Sequence, residues 1–517
     1  MNLVYQMLER GLRRNPDKTL FVFDDGEYTY RDFERRVDKL CHALSAKGVQ
    51  PGDRVSYYMA NKLEALVTFW ASFKMGTILV PASVLLRPRD LSYTVNNAES
   101  KVLVVDASDA NVMDSLSACR SQLETVDVVL ACRGELPGAE SWDAAVEAQD
   151  WEPFPIADCD EDQIGAIYYT SGTTGVMKGC MMTHGNISYM VQTYVHAFKF
   201  RQGDVSIHSM PIYYAFSPIL GIMPTVQMGG TVVLHEIFNP ERMLDGINRH
   251  KATFFCGVPT MYSMMLEAWR QNPEKYDATS LRVCASSGSK LAPELMQNFE
   301  KALGCTIGEV YGLSEGGPIW VQTIPGLRRP GSTGLPAANL DVKIFDDNDN
   351  ELPPGQMGEI VIRGSQCCQG YWKMPEMTQE LYRSGWLHTG DLGYIDEDGY
   401  GYVVDRKKDM IITGGANIYP AEVENVLYSH PAVLLAAVVG VPDDTYGELP
   451  KAFIVLKEGA HATAEEIIAY CRDQMAKNKA PRMVEFVIEM PMTANRKILR
   501  RTLREQERAK QREVKGA

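Results

Sequence analysis

Between Tyr168 and Gly179 the chain reads YYTSGTTGVMKG, a run rich in glycine, serine and threonine that includes Lys178. An apolar strand is predicted before this run and a helix after it. Glycines let backbone N–H groups turn toward one point, hydroxyl groups add hydrogen-bond donors, and the lysine adds a positive charge. A bound polyphosphate requires these groups. The spacing differs from the GxxxxGK[ST] pattern, so it does not predict a P-loop fold.

Short apolar strands alternate with amphipathic helices on the N-terminal side of this run. The predicted helices are Arg31–Lys47 and Asn61–Lys74, and the predicted strands are Arg54–Met59, Thr77–Pro81, Lys101–Asp106 and Val126–Cys132. This alternation indicates an α/β fold with largely parallel sheets.

The predicted secondary structure changes after about residue 340. Short strands divided by turn residues are predicted at Asp341–Phe345, Gly358–Arg363 and Gly401–Asp405. We therefore predict a large N-terminal domain, residues 1–406, of layered α/β sheets that ends in a β-rich subdomain at about 340–406.

Residues 407–517 are predicted to form a small α+β C-terminal domain. Its predicted elements are a helix at Pro420–His430, strands at Leu434–Val441 and Lys451–Leu456, a helix at Thr463–Lys477, and a charged tail, Arg500–Lys515, that is a solvated helix or a frayed end. Thr463 and Glu466 have the spacing of a capping box.

Composition narrows the classes of function. The 517 residues are 45% apolar and 23% charged, with a formal net charge of −14 that disfavours non-specific binding to nucleic acid or to an anionic membrane. The longest aliphatic run, Ala432–Val441, has about half the length of a membrane span and is interpreted as a buried strand. No signal-peptide core is apparent, so a cytoplasmic protein is expected.

Eleven cysteines are scattered along the chain without a CxxC pair. We interpret them as reduced and mostly buried thiols. No cluster of cysteine and histidine has the spacing of a zinc site.

The run at Tyr168–Gly179 resembles the signature loop of the acyl-adenylate-forming superfamily, which includes acyl-CoA ligases, luciferases and the adenylation domains of peptide synthetases. Without the resemblance, an ordinary surface loop explains the run as well. That family usually has proline at the position of Met177. The resemblance implies that the phosphates of ATP are bound by Thr170, Ser171, Gly172, Thr173, Thr174, Gly175 and Lys178.

Two further segments resemble family signatures in the same order. Ser286–Leu291, SSGSKL, resembles the loop that lines adenine and the acyl pocket, which implies this role for Gly288 and Ser289. Tyr311–Glu315, YGLSE, resembles the next signature. There the resemblance implies that the Tyr311 ring stacks on adenine beside Gly312, that Ser314 meets the α-phosphate, and that Glu315 holds Mg²⁺.

The region that follows continues the resemblance. His388–Gly393, HTGDLG, resembles the segment whose aspartate binds both ribose hydroxyls, here Asp391. Asp405–Glu424 resembles the hinge segment of the family. This implies that Arg406 reaches the ribose, that Lys408 is the pivot, and that Gly414 and Gly415 let the pantetheine arm of coenzyme A pass.

Pro491–Arg501, PMTANRKILRR, resembles the segment that carries the catalytic lysine of the family on a mobile lid domain, here Lys497. A basic tail without a catalytic role is the alternative. The family has glycine where this chain has Arg496. Because arginine adopts positive φ less easily than glycine, either the loop is reshaped or the glycine is not strictly needed.

Met210–Pro218, MPIYYAFSP, matches the family segment beside the acyl pocket. Tyr213, Tyr214 and Phe216, together with Gly288, are the candidate pocket residues, although the aromatic residues could equally be core. The segment between Met210 and Met228 contains no acidic residue, which argues against a free α-amino acid as the substrate. A medium-chain, long-chain or aromatic acid fits better, and a carnitine-like acid held by cation–π contacts is an alternative.

The resemblance implies an ATP-dependent acid–CoA ligase. It would convert a carboxylate, ATP and coenzyme A, with Mg²⁺, into acyl-CoA, AMP and diphosphate through an acyl-adenylate. An adenylating enzyme with a carrier protein or oxygen as the acceptor, and a catalytically weakened regulator, are the alternatives. The sequence identifies neither the acid nor its chain length, and a homodimer is left open.

Overall fold

The computed structural model describes residues 4–147, 150–171, 176–324, 326, 328–329, 331–443, 445–493 and 496–516. Its N-terminal strands are β1 (Thr19–Phe23), β2 (Gly26–Thr29), β3 (Arg54–Tyr58), β4 (Ile78–Ala82), β5 (Ser100–Asp106), β6 (Val128–Cys132), β7 (Glu140–Ser141), β8 (Ile164–Ser171), β9 (Met177–Thr183), β10 (Val205–His208), β11 (Thr231–Leu234), β12 (Phe254–Gly257), β13 (Val283–Ser286), β14 (Thr306–Leu313), β15 (Gly317–Val321) and β16 (Leu335–Pro336).

Helices alternate with these strands. They are α1 (Tyr5–Arg14), α2 (Tyr30–Ala46), α3 (Leu63–Met75), α4 (Pro88–Asn97), α5 (Ala110–Cys119), α6 (Trp142–Glu147), α7 (His184–Ala197), α8 (Met223–Gln227), α9 (Pro240–His250), α10 (Pro259–Gln271) and α11 (Pro293–Leu303). Short helical turns also occur between these elements, at Arg120–Gln122, Pro218–Ile222 and Pro273–Lys275.

The described strands form two large sheets in this N-terminal body. One has the order β7-β6-β5-β3-β4-β8-β9, and the other β16-β15-β14-β13-β12-β10-β11-β1-β2. Most neighbours are parallel, as in β3, where Val55 lies opposite Leu79 of β4 and Val102 of β5. Parallel neighbours require crossover connections, which α3 and α4 supply here. The predicted α/β fold with largely parallel sheets is confirmed.

Strands β8 and β9 form an antiparallel pair, with Thr170 opposite Lys178. The prediction that a helix directly follows the glycine-rich run is therefore wrong. The residues after Met177 pair with β8 instead, and this long-range pairing outweighs their local preference. Helix α7 begins only at His184, where Thr183 and Asn186 form a capping box.

The next region is antiparallel. It contains β17 (Leu340–Phe345), β18 (Gly358–Gly364), α12 (Pro375–Leu381), β19 (Tyr382–Arg383), β20 (Trp386–Ile395) and β21 (Gly401–Arg406). The strands form one sheet in the order β17-β18-β20-β19, and β21 also pairs with β20. This pairing puts Asp391 of β20 opposite Arg406 of β21.

The C-terminal unit follows a short helix at Lys407–Asp409. It consists of β22 (Ile411–Thr413), β23 (Ala416–Ile418), α13 (Pro420–Tyr428), β24 (Val433–Asp443), β25 (Gly447–Leu456), α14 (Ala464–Gln474), β26 (Met483–Phe486) and α15 (Arg500–Gly516). Its strands form a separate sheet in the order β23-β22-β25-β24, with β26 beside β25. The small α+β architecture is confirmed, whereas the domain boundary at residues 406 and 407 stays a prediction.

The C-terminal unit has apolar clusters of its own. One includes Val438, Ile454 and Ile467, and a second joins β24 and β25 to α15 through Val439, Phe453 and Leu503. Of the two predicted forms of the charged tail, the structure has the helix; it packs through Leu503, whereas Arg501, Glu505 and Lys510 are exposed. The run Ala432–Val441 lies mostly within β24, in agreement with its interpretation as a buried strand.

All eleven cysteines are free thiols, and every one except Cys367 is buried, as predicted. Among the described residues, no helix has both the length and the apolar character needed to cross a membrane.

Candidate active site

A carboxylate on β20 is the centre of the first group of candidate residues. The Tyr311 hydroxyl, on β14, donates a hydrogen bond of 2.8 Å to Asp391 Oδ2. The Arg406 Nε atom, on β21, lies 3.4 Å from Asp391 Oδ1. Burial raises the pKa of Asp391, and the neighbouring Arg406, Tyr311 and Lys497 oppose that shift. Both carboxylate oxygens are therefore held in fixed directions.

Lys497 reaches this group from the C-terminal unit. Lys497 is joined to Thr493 by hydrogen bonds: the Thr493 N–H and hydroxyl donate to the Lys497 carbonyl at 2.8 and 3.2 Å, and the Lys497 N–H donates to Thr493 Oγ1 at 3.1 Å. Burial lowers the pKa of Lys497 to about 8; Arg406 adds to that shift and Asp391 opposes it. Lys497 is thus within electrostatic range of the two residues predicted to hold the ribose.

Arg496 has a φ of 60°, in the left-handed region. Of the two predicted alternatives, the structure has the second: arginine takes the conformation that suits glycine. That conformation costs roughly 1–2 kcal/mol. Two contacts with the N-terminal body offset the cost. The Thr260 hydroxyl donates to the Arg496 carbonyl at 2.7 Å, and the guanidinium lies 5.9 Å from the centre of the Phe238 ring.

A second group joins Glu315 and Lys178 through Tyr371. The Tyr371 hydroxyl donates to Glu315 Oε1 at 2.8 Å. The Lys178 Nζ atom, on β9, lies 4.8 Å from the centre of the Tyr371 ring. No local sequence pattern marks Tyr371, because its position depends on pairing between distant segments.

The predicted phosphate loop is partly described. Thr170 is partly buried on β8, and the backbone of Ser171 pairs with Met177. Gly172, Thr173, Thr174 and Gly175 lie outside the described residues, so their predicted role has no structural account here.

Residues beside the loop are also placed. The Ser314 carbonyl accepts a hydrogen bond of 3.5 Å from the thiol of Cys180, on β9. A Cβ atom on Gly312 would lie 2.2 Å from the Gly317 carbonyl oxygen, so only glycine fits there. These contacts hold the segment after β14 against the β8–β9 hairpin.

Gly414 and Gly415 form the turn between β22 and β23, with φ values of 54° and 83°. Both are exposed, and the Gly414 N–H donates to the Tyr446 carbonyl at 2.8 Å. The described contacts of this turn link it to Tyr446 and not to Asp391. Lys408 lies in the short helix after β21, where burial and the adjacent Arg406 lower its pKa.

The candidate acyl-pocket residues differ in exposure. The rings of Tyr213 and Tyr214 meet edge to face at 4.9 Å, with Tyr213 only 4% exposed. Tyr214 and Phe216 are partly exposed, and Gly288 and Ser289 are exposed. Met223 of α8, in contrast, is fully buried in the core.

Known proteins resemble this chain over nearly its whole length. The family model of the AMP-binding enzyme matches residues 8–372, and that of the AMP-binding enzyme C-terminal domain matches residues 422–497. A feruloyl-CoA synthase from an Amycolatopsis species is 35% identical over 500 residues, covering 96% of this chain and 97% of the relative. A long-chain-fatty-acid–CoA ligase from Bacillus subtilis is 34% identical over 537 residues, covering 97% and 94%.

A solved structure shows the same fold. The crystal structure of the anthranilate CoA ligase AuaEII in complex with anthranoyl-AMP matches with a TM-score of 0.91 at 29% identity, covering 98% of this chain and 97% of that one. The class of protein is therefore an adenylate-forming acid–CoA ligase. The chain belongs to the AMP-binding enzyme family.

Proposed function

We propose that this ligase activates a medium-chain, long-chain or aromatic carboxylic acid with ATP and Mg²⁺, and that Lys497 serves only the first half-reaction. The observation that carries the proposal is the position of Lys497. It belongs to the C-terminal unit, yet its neighbour Arg496 contacts Thr260 of the N-terminal body, and the charges of Asp391 and Arg406 both affect the pKa of Lys497. A residue that arrives from a separate unit can also leave with it.

The first group would bind the nucleoside. Asp391 can accept two hydrogen bonds from a ribose diol while it keeps its contacts with Tyr311 and Arg406, because a carboxylate has about four lone-pair sites. The Tyr311 ring would stack on adenine, and the exposed backbone of Gly288 and Ser289 would line it.

The second group would bind the triphosphate. Lys178 and the hydroxyl groups of the Thr170–Thr174 run would meet the β- and γ-phosphates, and Ser314 the α-phosphate. No cluster of three or more His, Cys, Asp or Glu side chains that could hold a metal occurs among the described residues. Mg²⁺ commonly binds through one or two carboxylates plus substrate phosphates, so Glu315 alone fits a cation that arrives with ATP. When bound, Mg²⁺ would neutralise phosphate charge.

The chemistry then follows in two steps. A carboxylate oxygen of the acid attacks the α-phosphorus, the bond from that phosphorus to diphosphate breaks, and the Lys497 ammonium stabilises the negative charge that develops. In the second step the coenzyme A thiol loses its proton to solvent. Its sulfur attacks the acyl carbon, and AMP leaves. Rotation at Lys408 would withdraw Lys497 and bring Gly414 and Gly415 to the pantetheine arm.

The candidate acyl pocket favours an aromatic or aliphatic acid. Tyr213, Tyr214, Phe216 and Gly288 offer aromatic and backbone surface, and the relatives described above are named for aromatic and fatty acids. A carnitine-like acid remains the second choice. A cytoplasmic location and a homodimer stay predictions from the sequence.

The test has two parts. A panel of fatty, aromatic and quaternary-ammonium acids is assayed for AMP formation with and without coenzyme A. The Lys497→Ala variant is then assayed for diphosphate exchange and, separately, for thioester formation from supplied acyl-adenylate. We expect exchange to fall at least about 100-fold and thioester formation to persist.

The exposed Lys477→Ala is the matched control and should behave as wild type. Equal loss of both half-reactions in Lys497→Ala would refute the assigned role. Adenylation without any response to coenzyme A would favour a carrier-protein acceptor, and failure of exchange with every acid would favour the regulator.

A further inference from the structure

The Tyr371 side chain lies between the two residues proposed to meet the charged end of the nucleotide. Its hydroxyl contacts Glu315 Oε1 at 2.8 Å, and its ring faces the Lys178 ammonium at 4.8 Å from the ring centre. Tyr371 is only 7% exposed. One buried side chain therefore contacts both the proposed metal ligand and the proposed phosphate-binding cation.

The backbone around Tyr371 is fixed on several sides. The Met181 N–H donates to the Gly370 carbonyl at 2.9 Å, and the Trp372 N–H donates to the Gly179 carbonyl at 2.7 Å, so this segment runs along β9 like an added strand. The Tyr371 N–H donates to Thr378 Oγ1, at the start of α12, at 2.9 Å.

The same segment also contacts the backbone of Glu315. The Cys368 N–H donates to the Glu315 carbonyl at 2.7 Å. The backbone segment that carries Tyr371 is therefore hydrogen-bonded both to the Glu315 main chain and to β9, the strand that carries Lys178. This backbone holds the Tyr371 side chain against the Glu315 carboxylate.

We propose that Tyr371 is a positioning residue for the metal–triphosphate site. Its hydroxyl fixes the Glu315 carboxylate through Oε1, which leaves this carboxylate oriented for a bound Mg²⁺, and its ring would keep the Lys178 ammonium beside the phosphates. This inference rests on the proposed function. A glutamate side chain has three rotatable bonds, so an oriented carboxylate loses less freedom when the cation binds. Partners that orient a metal ligand typically contribute 10–100-fold to metal affinity or activity.

The test compares two substitutions at this position. Tyr371→Phe removes only the hydroxyl and keeps the ring over Lys178, whereas Tyr371→Leu removes both. Binding of ATP is measured by calorimetry at a series of Mg²⁺ concentrations, and diphosphate exchange is measured over the same series.

We expect Tyr371→Phe to raise the Mg²⁺ concentration needed for half-maximal ATP binding and exchange by about 10-fold or more. Its ATP affinity without Mg²⁺ should match wild type. Tyr371→Leu should weaken ATP binding even without Mg²⁺, because Lys178 loses the ring. Thioester formation from supplied acyl-adenylate should stay unchanged in Tyr371→Phe.

Tyr382→Phe is the matched control, because the Tyr382 hydroxyl bonds the Cys368 carbonyl in the same segment without contacting Glu315. An unchanged Mg²⁺ dependence in Tyr371→Phe would overturn the inference, and so would an equal shift in Tyr382→Phe. The binding measurement decides this point even if no acid supports adenylation; that second result would count against the proposed function alone.

Discussion

At the scale of single residues, Lys497 shows how neighbours set the charge of a buried amine. Burial and Arg406 disfavour the ammonium form, whereas Asp391 favours it, and the resulting pKa is about 8. At pH 7 such an amine is about nine-tenths protonated. The proposed stabiliser of phosphate charge is thus charged at neutral pH and begins to lose its proton only slightly above it.

This pKa predicts a pH limb in the first half-reaction. We expect kcat/KM for diphosphate exchange, which reports the free enzyme, to fall as pH rises through about 8 and to approach a tenfold loss per pH unit above it. The sign follows because deprotonation removes the positive charge. Thioester formation from supplied acyl-adenylate should instead rise with pH, because thiols titrate at about 8.5. A flat or rising exchange profile up to pH 9 would contradict the role of Lys497.

The candidate site was only partly predictable at this scale. Asp391, Arg406 and Lys497 each lie in a recognisable segment, and the structure brings all three together. Tyr371 escaped prediction because no local pattern marks it; its contacts exist only after the segment before α12 pairs with β9. The sequence left two alternatives open for Arg496 and could not decide between them, since its contacts Thr260 and Phe238 come from other parts of the chain.

At the scale of elements, the start of α7 connects a helix cap to the segment that carries Tyr371. Asn186 completes the capping box with Thr183. Its Nδ2 atom also donates to the Ser365 carbonyl at 2.7 Å and to the Cys367 carbonyl at 3.0 Å. One buried amide therefore both caps the helix and satisfies two carbonyl groups of the neighbouring segment.

We expect Asn186→Ala to lower the free energy of unfolding by about 2–4 kcal/mol. About 1 kcal/mol comes from the cap, and the rest comes from carbonyl groups left without a partner. The measurement is the midpoint of urea unfolding at unchanged slope. Thr29→Ala, at the more exposed capping box of α2, is the control and should cost about 1 kcal/mol. Equal costs for the two variants would show that the extra bonds contribute nothing.

Prediction of elements from the sequence succeeded where the apolar pattern was long or flanked by clear turns. The bounds of β3, α2 and β18 differ from the prediction by one residue at most at each end. The error at β9 has a physical cause. A short apolar run such as Met177–Thr183 is compatible with a helix or a strand until its partner strand is known.

At the scale of the whole molecule, the described contacts between the C-terminal unit and the N-terminal body include several polar ones. The Thr260 hydroxyl bonds the Arg496 carbonyl at 2.7 Å, and the Ser263 hydroxyl bonds the Leu434 carbonyl at 3.2 Å. Arg500, at the start of α15, lies 3.5 Å from Asp405 of β21 and also pairs with Glu424 of α13. Arg500 thus connects the unit that carries Lys497 to the strand that carries Arg406.

We expect Arg500→Ala to slow diphosphate exchange by about 10–100-fold and to spare thioester formation from supplied acyl-adenylate. The reason is that the Asp405 side chain is only 4% exposed and, although it keeps two backbone N–H donors, a buried carboxylate that loses its cation is costly. The position that holds Lys497 near the nucleotide should therefore become less populated. Arg501→Ala is the control, because Arg501 is 63% exposed and its ion pair among the described residues is with Glu505 of its own helix. Similar loss of both half-reactions would indicate general damage instead.

The polar contacts between the two units, made by Thr260, Ser263 and Arg500, have a consequence for the proposed rotation at Lys408, which would separate them in every turnover. Hydroxyl, carbonyl and charged groups exchange one partner for water when they part, at a modest net cost. Apolar faces, in contrast, would be exposed to solvent at each opening and would promote aggregation. With polar contacts between them, the two units could separate repeatedly at high protein concentration without aggregation.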